Sequence, residues 1–135
     1  MAGERDLKTL LSDIKPELQH GIFVFCTISE GREIQATIRP LLTFREREGT
    51  TLVVLREEAE SLGLSCQFES RLISLTVHSS LDAVGFLAVI TARLAEAGIS
   101  VNAVSAFYHD HLFVPAGRAD EALALLQELS TTKAG

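Results

Sequence analysis

Clustered cations, long apolar runs and cysteines are all scarce in this 135-residue sequence. Its 12 Lys and Arg residues are outnumbered by 18 Asp and Glu, and Arg45, Arg47 and Arg56 each stand beside glutamates. We expect no nucleic-acid partner, because such partners require grouped cations that displace counterions. No apolar run reaches the roughly 20 residues of a membrane span, so no membrane association is expected either.

The two cysteines, Cys26 and Cys66, lack the CxxC spacing of redox or zinc motifs. Residues 1–11 are charged and resemble no secretory signal, so we expect reduced thiols and a cytoplasmic location. Both cysteines alternate with apolar residues, which favours buried core thiols, with a Cys–His nucleophile as the alternative. No phosphate-binding glycine loop is present, and no cofactor is predicted.

The first half of the chain predicts mostly strands, with two short helices. Its hydrophobic pattern and turn residues indicate a helix over 7–14 capped by Asp6, strands over 22–28 and 34–39, a hairpin over 41–55 that turns at 47–50, and a helix over 56–63 that ends at Gly63. The arginines and glutamates of 44–48 fit either a solvated hairpin or a carboxylate-binding site.

The second half has a clearer periodicity. It predicts a strand over 73–77, a helix that Ser79 caps with Asp82 as reciprocal partner, a strand over 99–103, a turn at 108–110, a strand over 111–115 and a last amphipathic helix. The buried stripe of the first of these helices comprises Leu87, Ile90, Leu94 and Ala97, and Gly98 ends it. This βαββα order is one strand short of a ferredoxin-like unit, and the first half is a candidate donor of that strand.

The apolar positions change parity between the two halves. Cys66 and Phe68 are apolar at even positions, whereas Ile73, Leu75 and Val77 are apolar at odd positions. One straight strand cannot keep both sets on one face of a sheet. The sequence therefore predicts a bulge or break near 70–72, which is also the predicted boundary between the halves.

Residues 75–106, LTVHSSLDAVGFLAVITARLAEAGISVNAVSA, resemble an ACT domain, most closely the paired regulatory ACT domains of aspartate kinases. The residues that match are Leu94, Ala95, Glu96, Gly98, Ile99, Val101, Val104 and Ser105. The whole chain, including TFREREGTTLVV (43–54) and YHDHLFVP (108–115), is similar to small bacterial proteins made of two ACT-like halves without an attached enzyme. One departure is the loop at 78–85, where Val84 replaces the usual proline before Gly85 and the usual acidic residue is displaced to Asp82.

The resemblance implies an α+β fold of tandem ferredoxin-like units (βαββαβ), with antiparallel sheets and helices packed on one face. It implies an N-terminal ACT-like half over 1–70 and a C-terminal ACT domain over 71–135. It also implies a regulatory protein without catalytic activity that binds a small amino acid between the two halves or between subunits. A homo-oligomer and a further protein partner that receives the signal are expected.

Gly85 stands inside a segment otherwise typical of a helix, where glycine costs about 0.5–1 kcal/mol relative to alanine. Its missing Cβ indicates either a ligand close to the backbone or close packing of the helix on the sheet. Helix N-termini attract carboxylates, and Asp82 or Asn102 suits an ammonium group, although Asp82 is alternatively only a cap. By the resemblance, the ligand-binding residues are Ser79, Ser80, Asp82, Val84, Gly85, Phe86, Asn102 and Ser105.

Two further hypotheses stay open beside amino-acid binding. The departure at Val84 favours a structural or protein-interaction module with a vestigial pocket. His109 and His111, with His78 in the preceding strand, form the one candidate metal cluster. The triplet 109–111 lies where the sequence predicts a hairpin turn, however, so a surface turn is the favoured interpretation and no metal site is predicted.

Overall fold

The computed structural model describes residues 3–29, 31–33 and 37–134 as two compact units. The larger unit combines residues 3–20 with 71–134, and the smaller unit spans 21–70. From Gly3 the chain thus runs through the larger unit, leaves it after His20 and returns at Arg71. The predicted division into domains 1–70 and 71–135 stays a prediction; in the structure residues 3–20 pack with the second half.

The helices and strands follow one another in an order that mixes both types. They are α1 (Leu7–Ser12), β1 (Pro16–Leu18), β2 (Phe23–Ile28), β3 (Leu42–Arg45), β4 (Thr50–Leu55), α2 (Arg56–Leu62), β5 (Cys66–Leu75), α3 (Phe86–Glu96), β6 (Asn102–Ser105), β7 (Asp110–Pro115), a 3-10 turn (Ala116–Arg118) and α4 (Ala119–Ala134). All strand pairs with a defined register in the described residues are antiparallel.

The smaller unit is an antiparallel sheet in the order β3, β4, β2 and the first part of β5. Alternate residues of β2 are buried because one face of this sheet meets the core. That core comprises Val24, Cys26, Ile28, Leu52, Val54 and Ala59. The helix α2 ends as predicted, with Gly63 in the left-handed conformation at φ +64°. Of the strand predicted over 34–39, residues 34–36 lie outside the described residues, and 37–39 are not in a strand.

The larger unit contains β1, the second part of β5, β7 and β6, with α1, α3 and α4. Leu18 pairs with Ile73 and Pro16 with Leu75, so a strand from the beginning of the chain completes this unit. The predicted βαββα order therefore gains its missing strand at the N-terminal side. Buried apolar residues of this unit form its core, among them Leu10, Ile14, Ile73, Leu75, Ile90, Leu94, Leu112, Ala122 and Leu126.

The strand β5 confirms the predicted parity change. Phe23 lies opposite Ser70, and Phe25 lies opposite Gln67, so β5 carries one more residue than β2 between these pairs. Phe68 adopts φ +60°, an uncommon conformation for a residue with a side chain. The bulge lies two residues before the predicted segment, and β5 continues through it to Leu75 instead of breaking.

The helix for which Ser79 was predicted as the N-cap starts six residues later than expected. Gly85 is the N-cap of α3, at φ +87°, and no side chain caps this helix. The prediction that Ser79 and Asp82 form a reciprocal cap is wrong, because the Ser79 hydroxyl donates to Asp110 and not to a helical N–H group. Residues 79–85 form an irregular loop before the helix.

Candidate functional site

A cavity of about 130 Å³ lies in the larger unit at the N-terminus of α3. The loop before the helix, the first helical turn and the facing strands β6 and β7 contribute its wall. The lining residues are Ser79, Ser80, Leu81, Ala83, Gly85, Phe86, Leu87, Ala88, Ser105 and Asp110. A cavity of this size suits a small polar molecule.

Asp110 is the charged residue of this cavity, and its side chain is only 5% exposed. Ser79 Oγ donates to Asp110 Oδ2 at 2.6 Å, and Ser105 Oγ donates to Asp110 Oδ1 at 2.5 Å. An ionised carboxylate has about four acceptor positions, so two serine hydroxyls leave room for further donors. A buried carboxylate that still has acceptor capacity suits a cationic group such as an ammonium.

The first turn of α3 supplies the opposite polarity. Residues 86–88 line the cavity, and the first N–H groups of a helix have no partner within the helix. The structure gives this helix no side-chain cap, so the partial positive charge of its N-terminus is not neutralised there. The cavity therefore joins a carboxylate-attracting helix end to a carboxylate side chain, which complements a zwitterion.

Gly85 connects the loop to this helix through its left-handed backbone. A Cβ built at this position would meet only Leu7 Cδ2, at 3.8 Å, which is an ordinary contact. Close packing of the helix on the sheet therefore does not explain the glycine, because a side chain has room. The conformation does explain it, since an L residue at φ +87° is strained.

Gly3 and Glu4 lie along the loop of the site, which the sequence analysis did not anticipate. Glu4 N donates to His78 O and Ser80 N donates to Glu4 O, both at 2.8 Å. A Cβ at Gly3 would lie 2.6 Å from His78 O, so glycine is required by close approach there. A second cavity, of about 250 Å³, lies between this segment, the loop and Phe107.

The structure brings together five of the eight predicted site residues. Ser79, Ser80, Gly85, Phe86 and Ser105 line the smaller cavity. Asp82 lines only the second cavity, and its carboxylate lies 3.7 Å from Arg5. Val84 is 84% exposed, and Asn102 is exposed in β6 opposite Phe113; neither residue lines these cavities. Their assignment to a ligand site stays a prediction.

Asp110 is a buried residue of the cavity wall that the sequence analysis did not assign to the ligand site. The sequence predicts it in a hairpin turn between His109 and His111, but it is the first residue of β7 and is buried. One signal was present: Asp110 immediately precedes the apolar run of that strand. The serines that satisfy it lie five and thirty-one residues away, so their contacts were not readable from spacing.

The histidines form contacts of other kinds. His111 Nδ1 shares a hydrogen bond of 2.8 Å with Ser74 Oγ, and His109 Nδ1 lies 3.3 Å from Val77 O. Burial, and then the neighbouring His109, lower the pKa of His111. Within residues 3–29, 31–33 and 37–134, no three His, Cys, Asp or Glu side chains are grouped so as to hold a metal ion.

The charged residues of 44–48 lie at a turn of the chain. The chain turns after Arg45, where Glu46 N donates to Gly49 O, and the side chains of 44–48 are exposed.

Cys26 is buried as predicted, but the prediction for Cys66 is wrong: it is exposed, because β5 becomes buried only from Ser70 onward. Among the described residues, no helix combines the length and hydropathy needed to cross a membrane.

Comparisons with known proteins agree with this architecture. An ACT-domain sequence profile matches residues 2–71, and a second ACT-domain profile matches residues 67–128. No curated protein sequence matches this chain. A solved structure from Vibrio cholerae, VC0802, is 44% identical, with a TM-score of 0.83 over 92% of this chain and 95% of that one. It is described as a protein of unknown function and a possible transport protein.

Two more distant structures share the fold. Atu0741 from Agrobacterium tumefaciens is 18% identical, with a TM-score of 0.73 over 85% of this chain and 87% of that one. The ligand-free regulatory subunit of aspartate kinase from Thermus thermophilus is 12% identical, with a TM-score of 0.66 over 87% of this chain and 97% of that one. The predicted tandem ferredoxin-like α+β fold is confirmed.

Proposed function

Because this chain belongs to the ACT-domain family, we propose that it is a non-catalytic regulatory protein that binds a small amino acid beside the N-terminus of α3. The observation that carries this proposal is Asp110, a buried carboxylate that lines the same cavity as an uncapped helix end. In this arrangement the α-carboxylate of the ligand accepts from N–H groups of the first helical turn. The α-ammonium donates to Asp110.

The size of the cavity limits the ligand. About 130 Å³ accommodates an amino acid with a short side chain, and the lining is mostly small residues and serines. Phe86 and Leu87 contribute apolar surface, so a short aliphatic or hydroxyl-bearing side chain fits better than a charged one. We expect affinity for glycine, alanine, serine or threonine rather than for arginine or tryptophan.

The test is calorimetric titration of the full chain with each of the twenty amino acids at concentrations that detect millimolar binding. We expect saturable heat with one or a few small amino acids. Each amino acid that binds is then compared with two analogues. The amide lacks the charge of the α-carboxylate, the deaminated analogue lacks the α-ammonium, and each change should weaken binding at least tenfold. Asp110→Asn should weaken binding of the amino acid, while Glu128→Gln, at an exposed position of α4, serves as the matched control.

A second candidate function is that of a protein-interaction module. Four large apolar side chains near the cavities are exposed: Leu81 (64%), Val84 (84%), Phe107 (57%) and Tyr108 (62%). Such exposure is typical of contact surfaces. Sedimentation of the purified chain measures whether it forms the expected homo-oligomer. The double variant Val84→Ser, Tyr108→Ser should shift the equilibrium between monomer and oligomer toward the monomer. Silence of all twenty amino acids in the titration would favour this second function.

A further inference from the structure

Cys26 and Cys66 occupy directly opposite positions on the antiparallel strands β2 and β5. Opposite residues of such a pair have Cα atoms about 4.5 or 5.5 Å apart, depending on their hydrogen-bonding position. Both separations fall within the range of about 4.4–6.8 Å that a disulfide spans. Opposite side chains also project from the same face of the sheet, so the two thiols are neighbours across the strand pair.

The bulge at Phe68 is what creates this alignment. Counted without interruption from the pair of Phe23 and Ser70, the register would place Gln67 opposite Cys26. The extra residue shifts the register by one, and Cys66 takes that place instead. The bulge is held by Ser70 Oγ, which donates to Phe23 O at 3.0 Å, and by the ring of Phe68, which lies 5.9 Å from that of Phe25.

The two thiols differ in access to solvent. Cys66 is exposed at the first residue of β5, whereas Cys26 is 4% exposed and belongs to the core of the smaller unit. Burial, and then the neighbouring Cys66, raise the pKa of the Cys26 thiol. A dissolved oxidant therefore meets Cys66 first, and Cys26 is in place to act as the resolving thiol.

We infer that the cross-strand pair of Cys26 and Cys66 is a thiol-oxidation site at which a hydroperoxide forms a reversible disulfide. The Cys66 thiolate attacks a peroxide oxygen, the O–O bond breaks, and Cys66 becomes a sulfenic acid while water or an alcohol leaves. The Cys26 sulfur then attacks the Cys66 sulfur, forming the S–S bond and breaking the S–O bond, and the hydroxyl leaves as water. Two thiols lose two electrons and two protons, and the peroxide accepts both.

The experiment treats the reduced full chain with hydrogen peroxide, alkylates remaining thiols in denaturant and measures the intact mass. We expect a monomer lighter by two hydrogen atoms, loss of both alkylatable thiols and recovery of both with dithiothreitol. Peptide mapping without reductant should join the segments that contain Cys26 and Cys66. A product that gains oxygen atoms, a dimer bridged through Cys66 with Cys26 still alkylatable, or no reaction would each overturn the inference.

A register variant provides the matched control. Cys66→Ser combined with Gln67→Cys keeps two cysteines but moves one of them by a single residue, to the other face of the strand. This variant should form no internal disulfide. Circular dichroism tests whether this double variant folds. If it does not fold, the single variant Cys66→Ser serves as the control instead. In the single variant Cys26 should stay alkylatable in denaturant after peroxide treatment, because the residue that reacts first is absent.

Discussion

Ser79 donates a hydrogen bond of 2.6 Å to Asp110, a residue thirty-one positions further along the chain. The bond joins the loop before α3 to the first residue of β7, and Ser105 completes the arrangement from β6 at 2.5 Å. Both serine hydroxyls are thereby oriented toward one buried carboxylate. The loop, the strand pair and the proposed ligand site therefore depend on the same three side chains.

Removal of the Ser79 hydroxyl should destabilise the protein. Ser79→Ala leaves one oxygen of the buried Asp110 carboxylate without its donor, which costs about 1–3 kcal/mol of unfolding free energy. Urea unfolding measures the loss. Ser100→Ala makes the same chemical change at an exposed position and should change stability by less than about 0.5 kcal/mol. Equal effects of the two variants would contradict the role of the hydrogen bond.

Substitution of Gly85 should reveal backbone strain rather than overlap. Gly85→Ala places an L residue at φ +87°, which costs about 1–2 kcal/mol, although its Cβ has room. Gly85→Asn should cost less, because asparagine tolerates this conformation better. Thermal and urea unfolding compare the two variants. A loss for alanine far above this range, or a larger loss for asparagine, would instead indicate a packing constraint.

The larger unit should lose stability in mild acid because of His111. Its pKa lies below the ordinary value of 6.5, so the unfolded chain binds a proton more readily than the folded one. The contribution of neutral His111 to the free energy of unfolding is present above about pH 6.5. It is lost as the pH falls through the lower pKa of the folded state. Urea unfolding between pH 5 and pH 8 measures it. His111→Gln should reduce the change of unfolding free energy with pH, and His20→Gln, at an exposed position, serves as the matched control.

Truncation of the core of α3 should be more costly than truncation at the protein surface. Leu94 is fully buried in the core of the larger unit, and Leu94→Ala should cost about 2–5 kcal/mol of unfolding free energy. Val84→Ala removes apolar atoms from a side chain that is 84% exposed, and a change below about 0.5 kcal/mol is expected. Calorimetric unfolding of both variants checks the difference, and comparable losses would argue against this assignment of the core.

Local signals of the sequence predicted many elements well. Asp6 caps α1 as expected, accepting a hydrogen bond from Thr9 N at 3.0 Å, and Gly63 ends α2. The apolar run of β2 forms a strand with alternate buried residues. Such features rest on neighbours within a few residues, where capping, periodicity and glycine conformation act.

The start of α3 shows where local signals were not enough. Ser79 and Asp82 carry the spacing of a capping box, but Asp110 takes the hydroxyl of Ser79. Asp82 is instead exposed near Arg5, in a loop that continues to Gly85. The Ser79 hydroxyl could bond either to the helix end or to Asp110. It pairs with the buried Asp110 carboxylate, because an unpaired buried carboxylate costs more free energy than a helix end that is exposed to solvent.

The α+β class and the bulge in β5 could be predicted from periodicity, and the resemblance to ACT domains added the tandem organisation and five of the residues that line the cavity. Three features could not be predicted in this way: residues 3–20 join the larger unit, Asp110 is buried between two serines, and Cys66 lies opposite Cys26. Each depends on at least one contact between residues far apart in the sequence. Periodicity and caps report contacts within a few residues, whereas strand register and buried polar groups are settled by partners that only folding brings together.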